Sequence, residues 1–280
     1  MSDTIDQAFL TEFQDDVHLA YQQFGSKIRN TCRLKTNVKA ETCRFQVYGS
    51  GVAGQKSRNG DVPVMNNVHS YKDATMADWY GADYVDKLDE LKVNIDERQA
   101  AARSGAGALG RRIDTICVAA LRLSLPAAQK VAHGSAGLTK AKVLSALEIL
   151  NGDDGPPDDG ERYALVGPHQ WNELLNISEF KDADYTGDLL PWTKGTEAKR
   201  WLNSTWILSN RLVLSGGYRY CLWYHRSALG LGENSEIITT IDWVAHKASY
   251  LVDSMMSAGA IRIDDGGVVE IACDDDASIS

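Results

Sequence analysis

Apolar residues near the start of the chain recur at helical spacing: Phe9, Phe13, Val17, Ala20 and Phe24 follow at steps of four, four, three and four. The first thirty residues therefore read as helix. From Thr42 to Gly49 the period changes to two, with Phe45 and Val47 on one face and Arg44, Gln46 and Tyr48 on the other, which predicts a strand. A Gly-rich polar stretch, Gly49 to Asp61, follows, and then a second extended segment from Val68 to Tyr80. Together they make a long hairpin with a flexible tip.

A strong helix signal begins at Asn94, which can accept from free N–H groups at a helix start while Glu97, three residues on, reaches back. Ala102, Ala106, Leu109, Ile113, Ile116, Ala120 and Leu123 then keep a narrow apolar stripe until Pro126. The 31 residues from Ile95 to Leu125 would span roughly 46 Å. Gly105, Gly107 and Gly110 each weaken this helix by about 1 kcal/mol relative to Ala, so tertiary packing must hold it. A dimeric coiled coil is the rival, but an alanine-weighted stripe buries too little area to drive one alone.

Beyond Pro126 the pattern alternates. Thr139 to Leu150 reads as helix with Val143, Leu144, Leu147 and Leu150 inward, Arg162 to Val166 as a short apolar strand, and Pro168 as the first turn of a helix carrying Trp171, Leu174 and Leu175. Strands Thr205 to Leu214 and Tyr218 to Tyr224 are expected to flank the turn Ser215-Gly216-Gly217. Extended segments follow at Glu236 to Val244, Ala248 to Met256, Ala260 to Ile263 and Val268 to Ile271, the last after the turn Asp264-Asp265-Gly266-Gly267. The class is mixed α+β.

Composition narrows the function. Seven Trp, eleven Tyr and five Phe exclude disorder throughout, and no run of about 18 apolar residues offers a membrane span. The acidic start, Met1 to Asp6, is unlike a secretory signal. Cys32, Cys43, Cys117, Cys221 and Cys273 are scattered without a C-x-x-C pair, so reduced, buried thiols are expected. A formal net charge of −9 argues against coating DNA.

The charge is unevenly distributed. Between Ser26 and Gly60, eight basic residues face one acid, a net of +7; between Asp73 and Glu97, eight acids face two lysines, a net of −6. Solvated faces are the plain interpretation. Steering between neighbouring copies is the functional one, with Arg44, Lys56, Arg58, Asp78, Asp83 and Asp86 as candidate inter-subunit contacts. Nucleic acid could touch the basic block, but only Phe45 and Tyr48 offer stacking rings.

Catalytic motifs are weak. Gly49-Ser50-Gly51-Val52-Ala53-Gly54 is a formal G-x-G-x-x-G after a strand, but Gln55 to Pro63 is loop chemistry where a phosphate-binding helix should start, and Gln55 displaces Lys56 from a P-loop position. The acidic loop Asp153 to Glu161 lacks EF-hand spacing, and the tail Asp274-Asp275-Asp276 reads as solvated. His18, His69, His133, His169, His225 and His246 are isolated in sequence; a Ser/His/Asp triad could arise only in space. No catalytic, cofactor-binding or metal-ligating residue is assigned.

The order of parts nevertheless resembles tailed-bacteriophage major capsid proteins of the HK97 fold. The likeness rests on a charged arm, a long hairpin, Tyr84-Val85-Asp86-Lys87-Leu88-Asp89, the Ala/Gly-rich helix with Gly110-Arg111-Arg112-Ile113-Asp114, the run Pro156 to Pro168, and Gly259 to Asp264 leading by a hairpin into Val268 to Ile271. It covers about Thr31 to Cys273. The resemblance implies an N-terminal arm over 1–40, an extended E-loop over 41–88, a peripheral domain over 89–128 and 235–280 with a long spine helix, and an axial domain over 129–234. It further implies hexamers and pentamers of an icosahedral shell around double-stranded DNA bound without sequence specificity, assembled in the bacterial host cytoplasm.

A portal, a separate scaffolding protein and room for a decoration protein belong to the same expectation, since the chain has no room for a long N-terminal scaffolding segment. Some relatives join subunits by a Lys–Asn isopeptide bond; Lys56 is suitably placed, but no partner asparagine can be assigned and no crosslink is expected. Two other readings stay open: an encapsulin-like compartment shell, needing a cargo-docking pocket formed by arm and spine helix, and a nucleotide-using enzyme at Gly49 to Gly54.

Overall fold

The computed structural model describes residues 23, 25–90, 97–152, 159–181, 199–234 and 237–277. Most of the expected N-terminal helix and the Asn94 cap lie outside these residues. Within them, residues 25–28 are irregular and Arg29–Thr31 forms a 3-10 turn, so the helix does not run to residue 30. The chain divides into a larger unit, 27–77, 113–234 and 258–280, and a smaller one, 1–26, 78–112 and 235–257.

In the larger unit, β1 (Arg33–Lys35) precedes the hairpin of β2 (Thr42–Tyr48) and β3 (His69–Thr75). These pair antiparallel from Thr42↔Thr75 to Tyr48↔His69. The smaller unit begins within β4 (Ala77–Asp86), followed by the short α1 (Lys87–Glu90) and then α2 (Glu97–Arg122), which continues into the larger unit at Ile113. Leu109, Ile113, Cys117, Val118 and Leu121 are buried on α2, whereas Leu123, expected on the apolar stripe, is exposed. The buried face thus turns away from the predicted line toward Cys117 and Leu121.

A seven-stranded sheet forms the core of the larger unit. Its elements are β5 (Lys130–Val131), β6 (Arg162–Val166), β7 (Lys199–Trp201), β8 (Ser204–Leu208), β9 (Leu214–Ser215) and β10 (Tyr218–His225), with β14 (Val268–Asp274). The order is β5-β14-β10-β6-β8-β7, with β9 on β10. Helices α3 (Lys140–Asn151), α4 (Pro168–Asn176) and α5 (Ser178–Lys181) connect these strands. Thr139 caps α3 by accepting from the Lys142 N–H, and Pro168 occupies the first turn of α4. On α3, Leu144 is exposed and Ala146 takes its place inside, a shift of the inward face from the one expected.

Aromatic rings fill this core: Trp171 and Phe180 meet edge to face at 5.9 Å, as do Phe180 and Trp201 at 5.4 Å, while Trp206 and Trp223 lie tilted to one another at 5.2 Å. Their polar edges are satisfied, since Trp223 Nε1 donates to Ser204 Oγ at 2.9 Å and Trp206 Nε1 to the Trp201 carbonyl at 3.0 Å.

Two strand assignments are corrected here. The segment Thr205 to Leu214 is broken: β8 ends at Leu208 and pairs with β6 and β7, and only the two-residue β9 meets β10 across the turn. Gly216 and Gly217, with φ of +64° and +82°, supply that turn. The chain after Asp264 makes no hairpin, because β14 pairs with β10 and β5 rather than with the preceding strand.

That preceding strand is β13 (Ser249–Arg262), a single 14-residue element where two were expected. In the larger unit its last residues pair with β11 (Leu229–Glu233), which in turn pairs parallel with β1. In the smaller unit β13 pairs with β12 (Ile238–Val244) and also with β4. Arg262 ends β13 by donating to the carbonyls of Leu121, Leu123 and Ser124, which closes the C-terminus of α2 with positive charge.

Candidate inter-subunit surfaces

The hairpin has a buried root. Cys43, Phe45 and Ala74 join Val38 and Ile263 in a cluster, with Val47, Met76 and Ile261 packed against it. Alternation along β2 puts Cys43, Phe45 and Val47 on this face, as the sequence period requires. The seat is made by glycine: a methyl at Gly230 would come within 2.8 Å of the Phe45 ring, and one at Gly232 within 2.8 Å of Cys43. β11 was not anticipated, because Leu-Gly-Leu-Gly-Glu reads as a weak strand until something is seen to lie on it.

Halfway along, the hairpin is tied to itself. Arg44 Nε and Nη2 donate to the Asp73 carboxylate at 2.8 and 2.9 Å, and its guanidinium lies 3.8 Å from the Tyr71 ring centre. The bidentate bond lowers the Asp73 pKa and raises that of Arg44. Arg44, expected to face a neighbour, therefore has an exposed cross-strand partner in its own chain. Lys56 and Arg58 stay exposed at the tip, with no ion pair found among the described residues.

The tip is apolar as well as basic. Val52, Val62, Val64, Met65 and Val68 are exposed, Val52 by 88% and Val64 by 75%. The Gly49 N–H donates to the Val68 carbonyl at 2.9 Å and closes the paired section, and a turn at Ser57–Gly60 follows. No helix begins within 49–68, so the Gly49 to Gly54 glycines lack the N-terminus that would hold a phosphate. The nucleotide reading is set aside on this ground.

The acids fall on two faces. β4 alternates, with Trp79, Gly81 and Val85 more buried than their neighbours; Asp78 and Asp86 lie on one side and Asp83 on the other. Asp83 Oδ1 accepts from the Tyr84 N–H, and Asp86 Oδ1 from the Leu88 N–H, which makes Asp86 a local cap as well as a surface charge.

In the larger unit α2 holds the backbone just ahead of the 3-10 turn. Asp114, fully buried on α2, accepts from the N–H groups of Lys27 and Ile28 at 3.1 Å. In the smaller unit Arg111 donates to the Gln23 carbonyl at 2.9 Å.

In the two acidic stretches Asp275, Asp159 and Glu161 are bound, while residues 153–158 lie outside the described residues. Asp275 takes a bidentate pair from Arg219 at 2.8 Å plus a bond from Gln170, which hold its pKa down at about 2. Asp159 accepts from His225 Nε2 at 3.0 Å, and the Glu161 N–H and that imidazole lower its pKa; Glu161 pairs with Arg226. His225 Nδ1 also meets Ser227 Oγ at 2.7 Å. The same nitrogen accepts from the Ser227 N–H, so the Asp–His–Ser chain is a cap on the turn Arg226–Ala228.

All five cysteines are buried and free. Among the described residues no cluster of His, Cys, Asp and Glu could hold a metal ion, and no helix is long and apolar enough to cross a membrane.

The family described as phage capsid protein matches residues 5–275. No curated protein matches the chain. Among solved structures, it resembles one from Mycobacterium phage Che8 at 19% identity and a TM-score of 0.71, over 96% of this chain and 98% of that one. The capsid of cyanophage P-SCSP1u is similar at 16% identity and 0.70, over 96% and 94%. The capsid of an empty GTA particle is similar at 12% and 0.69, over 99% and 98%. The fold is thus the HK97-like α+β fold shared with these structures.

Proposed function

Because this chain belongs to the phage capsid protein family, we propose that its copies close into hexamers and pentamers of an icosahedral head around double-stranded DNA. It is a structural major capsid protein of the virion. The observation that carries the assembly reading is the hairpin: a root seated in the chain's own core and a tip whose apolar and basic side chains nothing in the described residues covers. A surface of that kind marks a protein–protein contact. Lys56 and Arg58 are its charged contributors, with Asp78, Asp83 and Asp86 as acids on the neighbouring copy; Arg44 contributes by stiffening the hairpin.

Residues 1–40 act as the arm, 41–88 as the E-loop, 89–128 with 235–280 as the peripheral domain and 129–234 as the axial domain. Assembly in the host cytoplasm agrees with five buried, free thiols. The shell would also meet a portal, a separate scaffold and a decoration protein, and would perform no catalysis. Negative-stain electron microscopy with light-scattering mass tests this reading, with and without the scaffold. Closed shells, tubes or capsomer rings are expected; a monomer or small oligomer under every condition would overturn it.

A further inference from the structure

A polar cleft opens in the larger unit beside the N-terminus of α3. Residues 135–140 form one wall, Glu173, Asn176 and Ile177 the other, and Ala277 closes one end, around a volume of about 480 Å³. A cavity of that size can hold a small molecule. One carboxylate lines it: Glu173, whose side chain is only 9% exposed.

Glu173 is held in place at one oxygen and open at the other. Its Oε2 accepts from the Leu138 N–H at 2.6 Å, and the carboxylate lies so close to Gly137 that a methyl there would overlap Oε1. Oε1 has no hydrogen-bond donor among the described residues. His169 Nε2 stands 3.7 Å from it, but that nitrogen is 2.9 Å from the Ala277 carbonyl, which can only accept, so its N–H is directed there.

The cations around the cleft are occupied as well. Lys142 Nζ donates to the carbonyls of His133, Ala136 and Ala272, Lys140 pairs with Glu179, and Arg219 pairs with Asp275. Burial raises the Glu173 pKa, with Asp275 adding to the effect, against the opposing pull of the Leu138 N–H, His169 and Lys142. A carboxylate oxygen withdrawn from water without a donor is unfavourable when charged. A positively charged donor entering the cleft would relieve it.

We propose that this cleft binds the ammonium group of an aliphatic amine, the head donating to Glu173 Oε1 and the alkyl stem lying along Leu138 and Ile177. The negative charge selects a cation, and the open oxygen selects one that carries N–H donors. A free diamine and a lysine side chain share this chemistry. The site goes beyond the capsid reading and does not depend on it.

Isothermal titration of the purified full-length chain tests it, with 1,4-diaminobutane, Nα-acetyl-lysine amide and tetramethylammonium as probes. At least one of the two amines should bind at a single site per chain. Tighter binding of the diamine marks a free amine as the ligand, and tighter binding of the lysine analogue marks a side chain of another protein. Tetramethylammonium, which has the charge without the N–H, should bind about tenfold or more weakly. Glu173→Gln keeps an acceptor for the Leu138 N–H and removes the charge, so it should fold and lose about tenfold or more in amine affinity. In the unmodified chain, binding should weaken as pH falls and Glu173 takes up a proton. Absence of binding by both amines, equal amine binding by Glu173→Gln, or tetramethylammonium binding as tightly as the amines would overturn the proposal. Should Glu173→Gln not fold, hydrogen exchange of the unmodified chain decides: 1,4-diaminobutane should slow exchange of the Leu138 amide relative to tetramethylammonium, and identical exchange there would overturn the site.

Discussion

The two ends of the hairpin carry similar residues to opposite purposes. At the root, Phe45 and Cys43 are buried over Gly230 and Gly232; at the tip, Val52, Val62 and Val64 stand in solvent. The same apolar chemistry is buried within the subunit at one end and, at the other, stands open where the proposed assembly would place a neighbour. Burial, more than residue type, separates stability from assembly here.

Changes at the root should unfold the subunit. Phe45→Ala removes a buried ring and is expected to lower unfolding stability by about 3–5 kcal/mol in urea titration. Gly232→Val forces a side chain against Cys43 and Met76 and should lower it by about 1–3 kcal/mol. If either variant unfolds like the parent, the root is not an anchor.

A probe away from the hairpin gauges the rest of the larger unit. Asp275 ionises at about 2 in the folded chain, below its usual value, so its bond to Arg219 stabilises above pH 4 and fades as pH falls toward 2. Asp275→Asn should therefore lower stability by about 1 kcal/mol at neutral pH, allowing for solvent screening, and the difference should vanish near pH 2. A difference that persists there would point to packing instead of charge.

Smaller effects are expected toward the tip. Arg44→Gln should loosen the hairpin slightly, and the change should shrink in high salt, as measured by hydrogen exchange of β2 and β3. Reversing Lys56 and Arg58 together should leave unfolding within about 0.5 kcal/mol of the parent while blocking particles seen by electron microscopy. Normal particles from that double reversal would remove charge from the account of assembly.

The hairpin and the long helix were legible because their periods are local: alternation at Phe45 and Val47, and steps of four and three from Ala102 to Ala120. What stayed hidden depends on partners distant in sequence. Gly230 and Gly232 look like strand breakers until Phe45 and Cys43 lie on them. Asp275 looks solvated until Arg219, 56 residues away, reaches it. The opposed charge blocks were visible, yet only the β4 alternation separates Asp83 from Asp78 and Asp86. Asp114 ends the Gly110-Arg111-Arg112-Ile113-Asp114 run, but its task of holding the Lys27 and Ile28 amides needs the fold to bring them together.

The alternating glycines under β2 also set how the hairpin can respond to load. Phe45 fits over Gly230 and Cys43 over Gly232, so a slip of one residue would drive Arg44 into a notch shaped for an apolar group. Lengthwise sliding is blocked at the root, whereas strand pairing ends at Tyr48 and His69. A pull on the tip is therefore taken up by bending beyond that pair, and the hairpin behaves as a keyed lever: free to swing at its far end, unable to creep at its fulcrum.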